Sequence, residues 1–276
     1  MVFWIEALKT ILLGIVEGVT EWLPISSTGH IILVERVLAL KASEAFKEMF
    51  NIVIQLGAIM AVIVLYFHRL NPLAKSKTKE EKNSTWKLWL KVVVAIIPSG
   101  IVGLLLDDWF DTYANTPPVI AAALILYGII FMVLEKWMVI APKSNSTDEM
   151  TYRQAIGIGA FQMLSIVPGT SRSGSTMIGG MLTGTSRSVA AEFSFFMAIP
   201  TMLGYSGLKV LKFVLGGNKM SLEEVGILLL GCVVSFLVSL AVIKGLMAYV
   251  KKHTFLPFGV YRIVLGIVVL LVFYLH

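Results

Sequence analysis

The sequence has 276 residues, of which 57% are hydrophobic and only 14% charged, and its mean hydropathy is +0.84. Soluble domains carry roughly a quarter charged residues, so a water-soluble enzyme is set aside and an α-helical membrane protein is expected. The net charge of +6 does not argue for nucleic acid, because the basic residues gather in short connections between apolar runs, where membrane topology explains them.

In chain order, the amino terminus Met1-Val2-Phe3-Trp4-Ile5-Glu6 lacks the basic start of a secretory signal, so no cleaved leader is expected. Region 2–40 is apolar but interrupted at its centre by Pro, Ser, Gly and His. This pattern predicts a re-entrant helical hairpin, which is tolerated at membrane depth only where the irregular backbone is buried in protein or lines a cavity. Clean spans follow at 49–67, 86–106 and 117–137, each near the ~20 residues that cross a bilayer core. A second broken region, 151–184, precedes spans at 190–215, 225–250 and 256–275, which makes six transmembrane helices and two hairpins in an all-α protein. The single cysteine, Cys232, lies inside one span and rules out a disulfide framework.

The charges orient these elements. The connection from Arg69 through Lys75, Lys77, Lys79, Lys82 and Lys87 to Lys91 is the most basic and is expected in the cytoplasm, whereas Asp107, Asp108 and Asp111 mark the next one as outward. Both termini then face outward; Lys209, Lys212 and Lys219 strain this orientation, although long cationic side chains near a helix end can snorkel to the interface. Each half, 1–140 and 151–276, is one broken hairpin plus three spans, and an odd number of crossings inverts the second half. At one constant offset, Gly14-Ile15-Val16-Glu17 and Ser26-Ser27-Thr28-Gly29 align with Gly159-Ala160-Phe161-Gln162 and Ser171-Arg172-Ser173-Gly174. The expectation is a single membrane domain, 1–276, built as an inverted-topology repeat, an architecture shared by many secondary transporters.

The residues with chemical potential fall in the two breaks. Glu17 and Glu21 are four apart and share a helix face. Two like charges in apolar surroundings persist only with a compensating cation, proton or metal, and intramembrane acids seldom lack a function. Pro24 ends that helix, and Ser26-Ser27-Thr28-Gly29 is suited to cap a new one, where free N–H groups and the positive dipole end make an anion site. His30 falls within a turn of those hydroxyls. The second break repeats the device as Pro168-Gly169-Thr170-Ser171-Arg172-Ser173-Gly174-Ser175-Thr176. Arg172 at membrane depth costs on the order of 3 kcal/mol unless paired, and its planar fork matches a phosphate or a carboxylate. An ion pair with Glu17 or Glu21, locking the halves together, is the structural alternative. Ser171, Ser173 and Thr176 either donate to the same anion or satisfy helix-end backbone.

The segments Glu17-Gly18-Val19-Thr20-Glu21-Trp22-Leu23-Pro24-Ile25-Ser26-Ser27-Thr28-Gly29-His30 and Pro168-Gly169-Thr170-Ser171-Arg172-Ser173-Gly174 resemble the two signature motifs of the bacterial undecaprenyl-diphosphatase, or bacitracin-resistance BacA, family. The likeness extends through Asp148-Glu149-Met150-Thr151-Tyr152-Arg153-Gln154-Ala155 and Ala191-Glu192-Phe193-Ser194-Phe195. It implies a bacterial cell-membrane phosphatase that releases inorganic phosphate from a polyprenyl diphosphate, undecaprenyl diphosphate, recycling the lipid carrier for peptidoglycan. It also implies a site open to the extracytoplasmic side and stimulation by a divalent cation, Mg²⁺ or Ca²⁺. Carried over by position, the catalytic set is Glu17, Glu21, Ser27, His30 and Arg172. Glu17 and Glu21 would hold the metal, and Ser26, Thr28, Ser171, Ser173 and Thr176 would support the phosphate. Ser27, His30 and water all remain open as the nucleophile, and a homo-oligomer is compatible with the sequence.

Two rival functions share parts of this pattern. Phosphatidic-acid-type phosphatases need a second, downstream nucleophilic histidine, and no histidine lies between His68 and His253. A lipid-phosphate transporter or flippase would use the same inverted-repeat centre. Other residues have ordinary readings: Met177 and Met181 as packing, Trp86, Trp89, Trp109 and Trp137 as interfacial anchors, and Asn51, Gln55 and Glu192 as either cavity-lining or interhelical hydrogen-bonding groups.

Overall fold

In the computed structural model, residues 2–137 and 141–274 are described, without the side chains of Val2, Phe3, Asp107, Asp108 and Asp111. The expected outward role of those three aspartates, and Leu275 at the end of the last predicted span, therefore lie outside the described residues. Every named element is helical: α1 Val2–Thr20, α2 Ser27–Leu38, α3 Glu44–Leu65, the single turn α4 Phe67–Leu70, α5 Lys79–Tyr113, α6 Pro117–Trp137, α7 Tyr152–Gln162, a 3₁₀ turn Met163–Ile166, α8 Arg172–Leu182, α9 Arg187–Leu215, α10 Leu222–Val250 and α11 Leu256–Tyr274. Helices α3, α5, α6, α9, α10 and α11 are the six long and apolar enough to cross a membrane. Their apolar cores match the predicted spans, and α6 coincides with 117–137.

The helix starts follow from side-chain caps. Ser43 accepts from the Phe46 N–H, and Thr78 with Glu81, Thr151 with Gln154 and Ser221 with Glu224 form reciprocal capping boxes. These caps extend α3, α5 and α10 by about a turn or two beyond the hydrophobic run, which is why those helices begin earlier than hydropathy alone indicates. Pro98 and Pro200 sit inside α5 and α9 without ending them, as neighbouring helices permit in membrane proteins.

Helix α1 packs on α10, α7 on α5, α3 on α9 and on α10, α5 on α9, and α6 on α11. The α6–α11 crossing is close because both helices place glycine there. A methyl group on Gly128 would lie 2.7 Å from the Gly259 carbonyl oxygen, and one on Gly259 would lie 2.8 Å from that of Gly128. The main core gathers Trp22, Phe131, Phe193, Phe195 and Phe196 around the breaks, with Met177 among them as expected. Large apolar side chains such as Leu104, Leu105, Leu229, Leu237, Val264 and Leu271 are exposed on the outer faces, as suits a hydrocarbon solvent.

The Lys209 side chain is 7% exposed, and its ammonium pairs at 3.0 Å with the exposed carboxylate of Glu48, linking α9 to α3. Trp89 is half-buried, and its indole N–H donates to the Leu70 carbonyl at 2.8 Å, which ties α5 to α4. Trp86, Trp109 and Trp137 are exposed.

Candidate active site

The two sequence breaks become two turns of the same shape. α1 ends at Thr20, and the chain re-enters helix at Ser27 after Ser26 adopts φ 72°, ψ 106°. α7 gives way to the 3₁₀ turn, and helix resumes at Arg172 after Ser171 adopts φ 71°, ψ 117°. These are the only non-glycine residues at positive φ among the described residues. Such backbone costs of order 1–3 kcal/mol and persists only where its surroundings enforce it. Each serine caps its helix, Ser26 accepting from Gly29 N–H at 3.4 Å and Ser171 from Gly174 N–H at 3.1 Å.

Arg172, the first residue of α8, reaches back to the first break. Its Nη2 donates to Glu21 Oε1 at 2.8 Å, with both side chains largely buried. Its Nη1 donates to the Ser194 carbonyl at 2.8 Å and lies 3.3 Å from the Ser194 hydroxyl, and the guanidinium stands 5.7 Å from the Trp22 ring centre. The other carboxylate oxygen, Glu21 Oε2, accepts from the Ser27 hydroxyl at 3.2 Å. One carboxylate therefore joins the arginine of the second break to a hydroxyl of the first, across 151 positions of sequence. The ion pair expected as the structural alternative is present, and it involves Glu21.

Glu17 is fully buried, in electrostatic contact with Glu21 and Arg172; neither of its oxygens accepts from a protein N–H or hydroxyl, while the Glu21 carboxyl lies within hydrogen-bond reach. Arg172 Nε is likewise buried and unpartnered. An unpaired buried carboxylate is costly, and beside a second carboxylate its hard oxygens suit a divalent cation completed by phosphate oxygens and water. Among the described residues no three His, Cys, Asp or Glu gather into a cluster able to hold a metal, so such a cation would depend on ligands brought by the substrate.

The remaining expected residues divide by where their hydroxyls point. Thr28 is exposed, and Ser27 and Ser171 are half-buried at the helix starts. Ser173 is buried and donates to the Glu21 and Leu23 carbonyls at 3.0 and 3.1 Å. Thr176 is buried too, bonded to the Arg172 carbonyl at 2.8 Å and the Ser194 hydroxyl at 2.7 Å. Both hydroxyls are thus engaged inside the protein: Ser173 fastens the second break to the first, and Thr176 ties α8 to α9. Asn51 donates to Glu35 at 2.7 Å, and Glu192 lies near Arg69, Asp148 and Lys251 rather than among the residues of the breaks.

Four contributors were missed by the sequence reading: Trp22 and Ser194, which hold Arg172, and Tyr261 and Arg262 on α11. Arg262 is fully buried and donates to the carbonyls of Pro24 at 3.1 Å, Gly169 at 2.8 Å and Thr170 at 2.9 Å. It therefore braces both turns from one side. Tyr261 lies 2.7 Å from His30 Nε2.

The family model described as bacitracin resistance protein BacA matches residues 10–268, a stretch that contains both breaks and the α11 pair. The chain belongs to the BacA family. BacA-family relatives include an undecaprenyl-diphosphatase of Streptococcus thermophilus, 58% identical over 96% of this chain and 93% of the relative. Proteins of the same name from Streptococcus equi subsp. zooepidemicus and Streptococcus suis are 56% and 55% identical, over 95% and 96% of this chain and the same shares of their own lengths.

Proposed function

We propose that this chain hydrolyses undecaprenyl diphosphate to undecaprenyl phosphate and inorganic phosphate, recycling the lipid carrier for peptidoglycan and conferring bacitracin resistance. Kinship supports the activity. The observation that carries the mechanism is the Arg172–Glu21–Ser27 chain at the meeting of two helix starts.

The helix N-termini of α2 and α8 offer N–H groups and positive dipole ends to the diphosphate, and Arg172 contributes its fixed charge. The anionic phosphate competes with Glu21 for Arg172, so substrate binding leaves the carboxylate freer to accept a proton. Ser27, already donating to Glu21, gives up that proton and attacks the terminal phosphorus. A new P–O bond to the serine forms as the anhydride P–O bond breaks, and undecaprenyl phosphate leaves with the electron pair. Glu21 passes that proton to the departing phosphate, then takes one from the water that cleaves the phosphoserine and returns it to the Ser27 oxygen, releasing inorganic phosphate and restoring both groups. Glu17, with the Glu21 oxygen that Arg172 gives up, would hold a Mg²⁺ or Ca²⁺ ion, which when bound neutralises charge on the phosphoryl oxygens. Ser27 is favoured over His30 as nucleophile because His30 Nε2 is engaged by Tyr261.

The architecture in this reading is an inverted repeat of halves 1–140 and 151–276, with 2–40 and 151–184 as re-entrant hairpins. The packing supports it: exchanging the halves turns the α1–α10 contact into α7–α5, turns α3–α10 into α9–α5, and maps α3–α9 and α6–α11 onto themselves. The matched turns at Ser26 and Ser171 point the same way. The basic 69–91 connection belongs in the cytoplasm by the positive-inside rule, in a bacterial cell membrane with the site open to the extracytoplasmic side.

Purified protein in detergent, given undecaprenyl diphosphate and Mg²⁺, is expected to release inorganic phosphate. No release, with proteoliposomes still moving undecaprenyl phosphate between leaflets, would overturn the reading in favour of transport.

A further inference from the structure

The reaction above leaves Tyr261 unused, yet its contact with His30 is well defined. His30 Nδ1 lies 2.7 Å from the Ser26 carbonyl oxygen, and Nε2 lies 2.7 Å from the Tyr261 hydroxyl. A carbonyl only accepts, so Nδ1 carries the proton. In the neutral ring Nε2 is then the acceptor and the phenol the donor. The two rings also stack, with centres 5.6 Å apart and planes 9° from parallel. The imidazole is held by both nitrogens and by one face, with its lone pair toward Tyr261 on α11, while the Ser27 hydroxyl donates to Glu21.

The other end of this relay is the strained turn. The carbonyl that Nδ1–H engages belongs to Ser26, whose positive φ sets the direction in which α2 leaves the break. The position matching His30 in the second break, at the offset that aligns Ser26 with Ser171, is Ser175, which is buried and donates to the Arg172 carbonyl at 3.0 Å. The two turns share a backbone shape, and only the first is clamped by an imidazole. That is also the turn that carries Ser27.

We propose that Tyr261 is a positioning residue for phosphoryl transfer: acting through His30, it fixes the ring's tautomer and orientation and so holds the Ser26 turn that places Ser27. This proposal rests on the phosphatase reading. It assigns a role in the site to a residue of the last membrane helix, with no direct contact to Ser27.

Tyr261→Phe keeps the ring stack and removes only the hydroxyl. The expected result is a fall in kcat of about tenfold, the worth of one well-placed hydrogen bond, with KM changed less than about twofold and the thermal midpoint in detergent unchanged. In a His30→Ala background the same substitution is expected to have no further effect, because the relay is already cut. A spectroscopic signature accompanies the kinetics. With ¹⁵N-histidine labelling, the four histidines give few signals, and His30→Ala assigns the pair of interest. Wild-type His30 is expected to show one protonated and one hydrogen-bonded unprotonated nitrogen, and Tyr261→Phe is expected to shift the second alone. An active wild type whose Tyr261→Phe form keeps its kcat, or loses as much activity with His30 absent as present, overturns the proposal alone. Wild-type protein that hydrolyses nothing overturns the phosphatase reading and this proposal together.

Discussion

Ser26 and Ser171, 145 positions apart, adopt one backbone conformation, at φ 72° and 71°, and each caps the N–H of a glycine three residues on. The short polar side chain supplies the cap, and the surrounding structure holds the positive φ against its strain. Two substitutions separate them. Ser171→Gly relieves the strain and loses the cap, whereas Ser171→Ala loses the cap and keeps the strain. The alanine variant is therefore expected to unfold at the lower temperature, by about 1 kcal/mol relative to glycine, in thermal melts in detergent.

Arg172→Lys keeps the charge at the head of α8 and loses the fork that spans Glu21 and the Ser194 carbonyl. Phosphate release is expected to fall by about 10²–10³, the usual loss when one preorganised charge-stabilising group is removed. Ser27→Ala is expected to fall at least as far in kcat. Release by Ser27→Ala near the wild-type rate would assign the attack to water or His30.

Glu17 carries two buried oxygens that accept from no protein N–H or hydroxyl. If they hold the cation, Glu17→Gln raises the Mg²⁺ concentration for half-maximal phosphate release by tenfold or more, and saturating Mg²⁺ recovers part of the rate. Magnesium titrations of initial rate check this, and an unchanged half-maximal concentration would remove Glu17 from the metal site.

Arg262 serves three carbonyls from the two turns, and Tyr127 faces its guanidinium at 5.6 Å. Arg262→Met fills similar volume but leaves those carbonyls without their charged donor, a loss on the order of 3 kcal/mol. The expected outcome is a lower thermal midpoint together with lost activity. Arg262→Lys, a single donor point, is expected to recover more stability than activity, because it serves one turn at a time.

Asp148 lies on the connection between α6 and α7, outside the spans. Partial burial raises its carboxyl, but hydrogen bonds from Ser84 and Arg69 and the charges of Arg69 and Lys91 outweigh that and hold it below the ordinary range. A depressed folded value means stability that is present above the unfolded value of ~3.9 and lost as pH falls through the folded one. Asp148→Asn is therefore expected to lower the thermal midpoint at pH 7, with the gap to wild type closing below about pH 4. Melts across pH 2–8, an estimated working range, check the sign.

Much of this was legible from residue order. Bilayer residence follows from scarce charge, the six spans from run length, and the two breaks from Pro and Ser where apolar runs should continue. Glu21 and Arg172 stood out because a charge at membrane depth needs a partner. What composition leaves open is which face of a clean span turns inward. Tyr261 and Arg262 look like an ordinary aromatic and cation within an apolar helix, and Ser194 is one hydroxyl among many. Their roles come from α11 and α9 packing against loops far away in sequence. The direction of the Ser173 and Thr176 hydroxyls, and the pairing of Lys209 with Glu48, were set in the same way. Local sequence determined where helices start, stop and break, because capping and hydropathy act within a turn or a span. Tertiary packing alone decided which polar atoms meet, because each buried group takes the partner that the crossing of helices brings within hydrogen-bond reach.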